Sequence, residues 1–313
     1  MVHSTLDADR VKYPQLAGLT AAALVGGTVP VSGLLVDYPL LTGQAGRFLL
    51  GAGVLAAYMR VRRIPLGRLR LTDLPALAAV VGIGMLGFNA TLIAAQEHAD
   101  PGLVAAVLGG SPLLLALAGP LLARQRPAVA AVAGAAVVVA GVAVLSGGGS
   151  WSGPGLLLAV LTMLGEVGFT LFAVGLIRRH GGYAASFWTH LGAGVGGAAI
   201  AAVVDTPRLP TATEAAALAT VAVLAVFAAC LWFSCVSTLG AGRAGVLIGA
   251  MPVAGLLVSV LIGAEPLRPA GVVGTLLVAT GCVIGLRPPR AEGASGRRGP
   301  FGGRPRLRPV GTR

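Results

Sequence analysis

Long apolar runs alternate with short polar segments along almost the whole chain. A helix needs about 20 predominantly apolar residues to cross the hydrocarbon core of a bilayer, and charges with Gly or Pro mark where one run ends. Residues 127–165 carry no charge and are too long for one span, and the segment SGGGSWSG at 146–153 divides them. The pattern predicts ten spanning helices, at about 16–36, 39–59, 74–95, 101–122, 128–147, 155–177, 183–204, 215–237, 244–263 and 269–286.

The composition supports this pattern. Hydrophobic residues make up 56% of the 313 residues and charged residues 11%, against about 25% charged residues in soluble domains. Because so few charges cannot cover a water-soluble surface, we predict an all-α polytopic membrane protein. The net charge of +12 does not indicate nucleic-acid binding, since the arginines stand in short runs between the apolar stretches.

The distribution of Lys and Arg predicts the orientation, because cytoplasmic loops are enriched in these residues. With the N-terminus inside, the inner segments hold 20 of the 23 Lys and Arg residues, the outer loops hold Arg208 and Arg268, and one lies within a span. The outer loops carry acids instead, namely Asp37, Glu97, Asp100, Asp205, Glu214 and Glu265. Both termini are therefore predicted to be cytoplasmic.

The two ends of the chain differ from its apolar middle. Residues 1–15 are predicted to be a cytoplasmic N-terminal tail. Residues 287–313 are rich in Pro, Gly and Arg and are predicted to be a disordered basic cytoplasmic tail. We interpret this tail as a topology determinant close to anionic membrane lipids rather than as a nucleic-acid-binding segment.

The chain also contains an internal repeat. The sequence LGAGV occurs at 50–54 and again at 191–195. At an offset of 140, Gly109, Pro112, Leu117, Leu121, Val132, Gly134, Val138 and Gly141 match Gly249, Pro252, Leu257, Leu261, Val272, Gly274, Val278 and Gly281. A repeat of five spans forces the second copy to cross the membrane in the opposite sense, so the fold is predicted to be two inverted five-helix repeats, an architecture suited to alternating access.

Several segments of the two repeats stand out, namely GRFLLGAGVL at 46–55, SPLLLAL at 111–117, MPVAGLLVSVLIGAEPLRP at 251–269 and the glycine-spaced fifth and tenth spans. In these segments the chain resembles the EamA-like branch of the drug/metabolite transporter superfamily. The resemblance implies a first EamA-like repeat at 16–147 and a second at 148–286. It also implies that the fifth and tenth helices lie outside the transport bundle, where their glycines serve packing or a homodimer contact. One departure is Gln125, which aligns with Glu265 and weakens any coupling role for an acid at that loop in the first half.

Glu166 is the main candidate for function, because ionisable groups at membrane depth are costly. It lies about 11 residues into the sixth span, or roughly 16 Å, close to the midplane. Thr162, Glu166 and Thr170 are spaced at i, i+4 and i+8 and form one polar stripe, which we expect to face the bundle interior or a water-filled cavity. The functional interpretation is proton coupling or cation binding; the alternative is a protonated structural Glu that bonds a neighbouring helix.

Further candidates lie on the second and seventh spans, which the repeat makes equivalent. Arg47 is a candidate for binding a substrate carboxylate or phosphate, with Gln44 one turn earlier; the alternatives are snorkelling or pairing with a carboxyl group. On the seventh span, Tyr183 and His190 share one face. His190 takes a position near that of Arg47, with either a titrating, substrate-binding role or a neutral, hydrogen-bonded one.

The remaining candidates are aromatic, amide and proline residues. Trp188 and Trp232 either stack on substrate or only pack, and Asn89 is either a polar group of the cavity or a hydrogen-bonding contact between helices. Pro30, Pro112 and Pro252 remove backbone hydrogen bonds within predicted spans. They are candidates for a gating bend, or for a static kink.

The absence of other motifs narrows the function. No P-loop, HExxH or GxSxG motif stands out, and the Cys and His residues have no zinc-site spacing, so we predict no cofactor, no metal and no enzymatic activity. The resemblance implies a secondary transporter of the cell membrane. We expect it to export small metabolites, such as amino acids or related compounds, or drug-like molecules, driven by a proton gradient or by the substrate's own gradient. The alternatives are a membrane-embedded lipid-modifying enzyme and a passive channel or flippase.

Overall fold

The computed structural model describes residues 13–35, 37–99, 104, 107–147, 152–261, 266 and 268–287. Within these ranges every regular element is helical. We number the helices in chain order. They are α1 (Pro14–Ser32), α2 (Leu40–Val61), α3 (Leu74–Ala79, Val80–Gly87 and Phe88–His98), α4 (Ser111–Leu122), α5 (Val129–Ser146), α6 and α7 (the parts of Gly153–Val204 before and after Gly181), α8 (Ala212–Leu239), α9 (Ala241–Gly245, Val246–Gly249 and Ala250–Leu261) and α10 (Pro269–Gly285).

The lengths of these helices agree with the prediction of a helical membrane protein. Five described segments are long and apolar enough to cross a bilayer, and shorter apolar helices accompany them. The five are Leu40–Val61, Leu71–Ala95, Gly153–Val204, Ala212–Leu239 and Ala241–Val258. The predicted tails, 1–15 and 287–313, lie almost entirely outside the described residues, as do Asp100 and Glu265.

A glycine corner divides the longest helical segment. Gly153–Val204 contains 52 residues, about 78 Å of helix, which is far more than the roughly 30 Å of a hydrocarbon core. Gly181 interrupts it with φ 79° and ψ 168°, a left-handed conformation that favours glycine because it has no Cβ. The corner falls in the gap between the predicted sixth and seventh spans.

Two of the helices are interrupted, and a third begins directly after a turn. Residues Val80–Gly87 of α3 form a π-helical stretch, and Val246–Gly249 of α9 form a 3₁₀ turn. A turn at Gly109 and Gly110 directly precedes α4. Helix interruptions of this kind free backbone groups and often accompany functional sites.

Of the three candidate prolines, Pro112 is placed differently from the prediction. Pro112 is the second residue of α4, where its missing N–H would have had no partner within that helix anyway, so the interruption lies at the preceding glycines and the proline inside α4 is Pro120. Pro252 follows the 3₁₀ turn of α9 in the first turn of Ala250–Leu261. Pro30 lies near the C-terminal end of α1.

The packing of the helices reflects two equivalent halves. Helix α2 packs against α7, and α5 packs against α10. Helix α3 packs against α6, and its counterpart α8 packs in the same way against α1. Because exchanging the two halves converts these contacts into one another, the structure has the two-repeat architecture.

The glycines of α5 and α10 face each other within one chain. A Cβ at Gly134 would lie 2.3 Å from the backbone nitrogen of Gly285, and one at Gly141 would lie 2.8 Å from that of Val278. A Cβ at Gly274 would lie 2.7 Å from the carbonyl oxygen of Gly141. These glycines therefore permit close packing inside the chain. A homodimer through α5 and α10 stays a prediction, and it would have to use other faces of these helices.

Candidate functional site

A cavity of about 150 Å³ lies between the two halves, about the size of a cavity that takes up a benzene ring. Helices α1, α2, α3, α6, α7, α8 and α9 line it. Its polar side chains are Arg47, Asn89, Glu166 and His190, with the indole of Trp232 beside them. Its apolar wall includes Val25, Phe48, Met85, Phe88, Phe169 and Met251. The cavity is therefore largely apolar, with a few polar groups directed into it, as is usual for sites that bind small molecules.

Arg47 supplies a cation to this cavity. One of its guanidinium nitrogens, Nη2, donates to the side-chain oxygen of Asn89 over 3.4 Å, and its Cζ lies 4.6 Å from the ring centroid of Phe48. Its Nε is buried and has no hydrogen-bond partner. Among the described residues no carboxylate forms an ion pair with it, so this part of the protein supplies no counter-ion for the guanidinium.

Asn89 connects Arg47 to the interrupted part of α3. Its side-chain nitrogen donates to the carbonyl oxygen of Met85 over 2.6 Å, so its side-chain oxygen is directed toward the guanidinium. Met85 belongs to the π-helical stretch. The amide therefore serves as a polar group of the cavity and as a contact between α2 and α3, the two roles considered from the sequence.

Glu166 supplies a carboxyl group to the same cavity. It lies in the middle of α6, is half-buried and lines the cavity. No hydrogen bond or ion pair joins its carboxyl group to another side chain in the described part of the protein. The cavity thus contains a carboxyl group and a guanidinium that are not paired with each other.

The two threonines of the predicted stripe are buried on the same side of α6 but lie outside the cavity wall. Thr162 donates to the carbonyl oxygen of Leu158 over 2.8 Å and lies 3.0 Å from the hydroxyl of Thr91. Thr170 accepts a hydrogen bond of 3.1 Å from the indole nitrogen of Trp232. Thr170 therefore holds a side chain of the cavity in place, and Thr162 connects α6 to α3.

His190 extends from α7 toward Arg47. Its Nδ1 lies 2.8 Å from the carbonyl oxygen of Ser186, which can only accept, so Nδ1 carries the hydrogen. The ring packs edge-on against Phe48, with centroids 5.8 Å apart. Because Nδ1 is engaged, Nε2 is the ring nitrogen that remains for a ligand.

Three sequence candidates lie away from the cavity lining. Tyr183 packs against Tyr58, with ring centroids 5.8 Å apart. Trp188 contacts Phe187, and its indole nitrogen is buried without a partner. The side-chain oxygen of Gln44 is also buried and unpartnered. The structure assigns none of these three to the same pocket as Glu166, and their roles in binding stay predictions.

Two glycines that shape the cavity were not predicted from the sequence. A Cβ at Gly84 would lie 2.7 Å from Cα of Phe169, and one at Gly165 would lie 3.2 Å from Cβ of Phe88. These glycines let α3 and α6 approach closely beside Glu166. The signal was present as three glycines within residues 82–87, but glycine is so frequent in this chain that the spacing did not stand out.

The fold and the cavity define a multi-pass helical membrane protein made of two equivalent halves around a largely apolar cavity with a few polar side chains. A model of the EamA-like transporter family matches the chain twice, over residues 13–147 and 153–287. The chain belongs to the EamA-like transporter family, which confirms the resemblance seen in the sequence and is consistent with the drug/metabolite transporter superfamily.

A crystal structure of another protein has a similar fold, with a TM-score of 0.76 and 23% sequence identity. The match covers 87% of this chain and 96% of that chain. At this identity the likeness concerns the fold alone. No curated protein matches the sequence.

Proposed function

We propose that this chain is a secondary transporter that exports small metabolites across the cell membrane by alternating access. The observation that carries the proposal is that the guanidinium of Arg47 and the carboxyl group of Glu166 line one cavity between the two halves, and that neither forms an ion pair within the described residues. A buried charge without a partner is costly. A ligand that supplies the missing partner offsets this cost, so the arrangement favours binding of a charged or zwitterionic molecule.

The substrate that fits best carries a carboxylate and a small apolar body. The guanidinium of Arg47 presents a planar fork that matches a carboxylate, and Nε2 of His190, which is an acceptor in this tautomer, suits a hydrogen-bond donor of the same molecule. The apolar wall of Phe48, Phe88 and Phe169 suits an aliphatic or aromatic group. Amino acids and related metabolites meet these requirements, because their ammonium group also complements Glu166.

Glu166 is proposed to couple export to the proton gradient. A carboxyl group that lines a cavity of changing access can take up a proton on one side and release it on the other. A passive channel would not need such a group. Substitution of Glu166 therefore separates a coupled transporter from a pore.

The topology completes the proposal. Each of α1–α10 crosses the membrane once, and both termini lie in the cytoplasm, as the excess of Lys and Arg in one set of loops indicates. The basic tail lies close to anionic lipids.

The test compares metabolite pools in cells that express the native chain, Glu166→Gln or a control at matched membrane levels. The control is Glu97→Gln. Glu97 is exposed, and its substitution removes a carboxyl group far from the cavity. We expect particular carboxylate-bearing metabolites to accumulate in the medium with the native chain and with Glu97→Gln, but not with Glu166→Gln. Equal export by all three would show that Glu166 does not couple transport. No change in any pool would contradict export.

A further inference from the structure

A buried carboxylate joins the two halves at one end of the bundle, outside the cavity. Asp73 is 0% exposed and lies directly before α3, where its Oδ2 accepts a hydrogen bond of 3.0 Å from the backbone nitrogen of Arg70. The guanidinium of Arg179 contacts its Oδ1, and Nε2 of His180 lies 2.9 Å from its Oδ2. Arg179 and His180 belong to the second half, so these contacts connect the α2–α3 loop to the α6–α7 corner. We call these residues the Asp73 cluster.

The Asp73 cluster lies beside two glycines whose backbone has a positive φ. His180 directly precedes Gly181, where α6 turns into α7. On the loop that faces it, Gly67 has φ +67°, and a Cβ there would lie 3.2 Å from Nδ1 of His180. Because both segments turn at glycines, the ion pair forms where the chain changes direction rather than along a rigid helix.

A second buried carboxylate lies before α8. Glu214 is 7% exposed, and its Oε2 accepts a hydrogen bond of 2.7 Å from the backbone nitrogen of Thr211. Its two oxygens also accept from the guanidinium of Arg208, over 2.5 and 2.8 Å. This hydrogen bonding raises the pKa of Arg208 further, so the pair is fully charged at neutral pH.

Arg208 extends this cluster to the first half. Its Nη2 donates to the carbonyl oxygen of Asp37 over 3.1 Å, and its own carbonyl oxygen accepts from the hydroxyl of Tyr38 over 3.0 Å. Beside it, Asp205 accepts hydrogen bonds of 2.9 Å from both the backbone nitrogen and the hydroxyl of Thr42. The α7–α8 loop is thus bound to the α1–α2 loop. We call these residues the Glu214 cluster.

The internal repeat relates the two clusters. An offset of 141 residues, that of the LGAGV repeat, places Asp73 on Glu214 and Arg70 on Thr211. The same offset places Tyr38 on Arg179. Each cluster therefore joins the loop between the second and third helices of one half to the loop between the first and second helices of the other. In an inverted repeat the equivalent positions lie at opposite ends of the bundle.

The cavity lies between the clusters. Met85 is 12 residues after Asp73 along α3, and Ala225 is 11 residues after Glu214 along α8, so each end is separated from the cavity by roughly 17 Å of helix. Opening the cavity toward either end must separate the loops that the cluster at that end holds together.

We propose that the Asp73 cluster and the Glu214 cluster are the two locks of alternating access, each of which closes the cavity at one end. The proposal rests on the alternating-access part of the proposed function. When one lock opens and the other stays closed, a ligand can exchange with one side of the membrane only. In this structure both locks are closed.

The test measures access to the cavity directly, without a known substrate. A single cysteine is introduced by Ala225→Cys in a chain whose buried Cys230, Cys235 and Cys282 are replaced by Ala. Its rate of labelling by a membrane-impermeant maleimide is measured in intact cells and in inside-out vesicles. Into this chain Asp73→Asn or Glu214→Gln is introduced, with membrane levels and thermal stability in detergent checked for each variant.

We expect Asp73→Asn to increase labelling from the face at which Asp73 lies, which is the cytoplasmic face in the proposed topology. We expect Glu214→Gln to increase labelling from the opposite face. An increase of about tenfold is expected from losing hydrogen bonds to a charged group. If either variant fails to reach the membrane, Arg179→Gln and Arg208→Gln test the same two locks from the partner side.

Two controls separate the locks from general effects of charge. Arg178→Gln is compared with Arg179→Gln, because Arg178 is the exposed neighbour and forms no ion pair within the described residues. Glu97→Gln is compared with Glu214→Gln. Labelling that rises from opposite faces supports the locks, even if the export assay with Glu166→Gln fails. Labelling that rises from both faces together, or no more than in the controls, overturns the proposal.

Discussion

Replacing Arg47 by Gln tests whether its charge serves a ligand or the fold. In the structure the guanidinium has a long hydrogen bond of 3.4 Å to Asn89 and a contact of 4.6 Å with the Phe48 ring. A neutral Gln retains polarity at this position but removes the uncompensated cation. We therefore expect ligand binding to weaken while the stability of the empty protein is maintained or increased.

The magnitudes follow from these contacts. A cation–π contact contributes about 0.5–2 kcal/mol. A hydrogen bond from a charged donor contributes about 1.5–3 kcal/mol at best geometry, and less at the 3.4 Å seen here. Burying a charge without a partner costs several kcal/mol, so removing the charge offsets the lost contacts. By contrast, hydrogen bonds to a ligand carboxylate contribute about 1.5–3 kcal/mol, which corresponds to roughly 10- to 150-fold weaker binding.

The assay is thermal unfolding in detergent, with and without the carboxylates that the export experiment identifies. A ligand that binds only the folded state raises the midpoint in proportion to its occupancy. Native protein should show this shift, and Arg47→Gln should lose it at the same ligand concentration. Arg124→Gln, at an exposed arginine before α5, is the control. A variant that unfolds at clearly lower temperature and still binds the ligand normally would refute the reasoning.

Two further predictions concern stability. Gly281→Ala should destabilise the protein by about 1–3 kcal/mol, because its Cβ would lie 2.6 Å from the carbonyl oxygen of Gly134. Gly175→Ala should instead stabilise the protein by up to about 1 kcal/mol through helix propensity, since nothing lies within 4 Å of a Cβ at that position. Equal effects of Gly281→Ala and Gly175→Ala on the thermal unfolding midpoint would contradict the close packing of α5 and α10. The backbone and hydroxyl hydrogen bonds from Thr42 hold the pKa of Asp205 below its ordinary value of 3.8. The carboxylate of Asp205 therefore stabilises the folded state above pH 3.8, and this stabilisation is lost as the pH falls through the lower pKa of the folded state. The difference in unfolding midpoint between the native chain and Asp205→Asn should be full at pH 7 and disappear in strong acid. A difference that is independent of pH would show that the charge of Asp205 does not matter.

The sequence was sufficient to find the residues that are unusual for their depth. Arg47, Glu166 and His190 stand alone in apolar runs, so their cost identifies them without any structure. The stripe of Thr162, Glu166 and Thr170 also predicted a shared helix face, because helical periodicity is local. Helical periodicity does not show which residue of another helix each side chain contacts. Only the structure assigns Glu166 to the cavity, Thr170 to Trp232 and Thr162 to Thr91.

The aromatic candidates show the same limit. Trp232 and Trp188 are alike in sequence context, yet one lines the cavity and the other packs against Phe187. Pro112 looked like an internal helix break because the apolar run around it is continuous. The chain instead turns at Gly109 and Gly110, and Pro112 takes the second position of α4, where its missing N–H removes no hydrogen bond within the helix.

The sequence by itself determined that this is a multi-pass helical membrane protein with an internal repeat and a few charged residues inside its spans. These properties depend on composition and on local periodicity, because the bilayer penalises each exposed polar group separately. The tertiary structure decided which of those residues share a cavity, which glycines let helices meet, and how Asp73 and Glu214 reach the opposite half. Such contacts join residues that are up to about 170 positions apart, and their formation depends on the packing of whole helices, which local spacing does not specify.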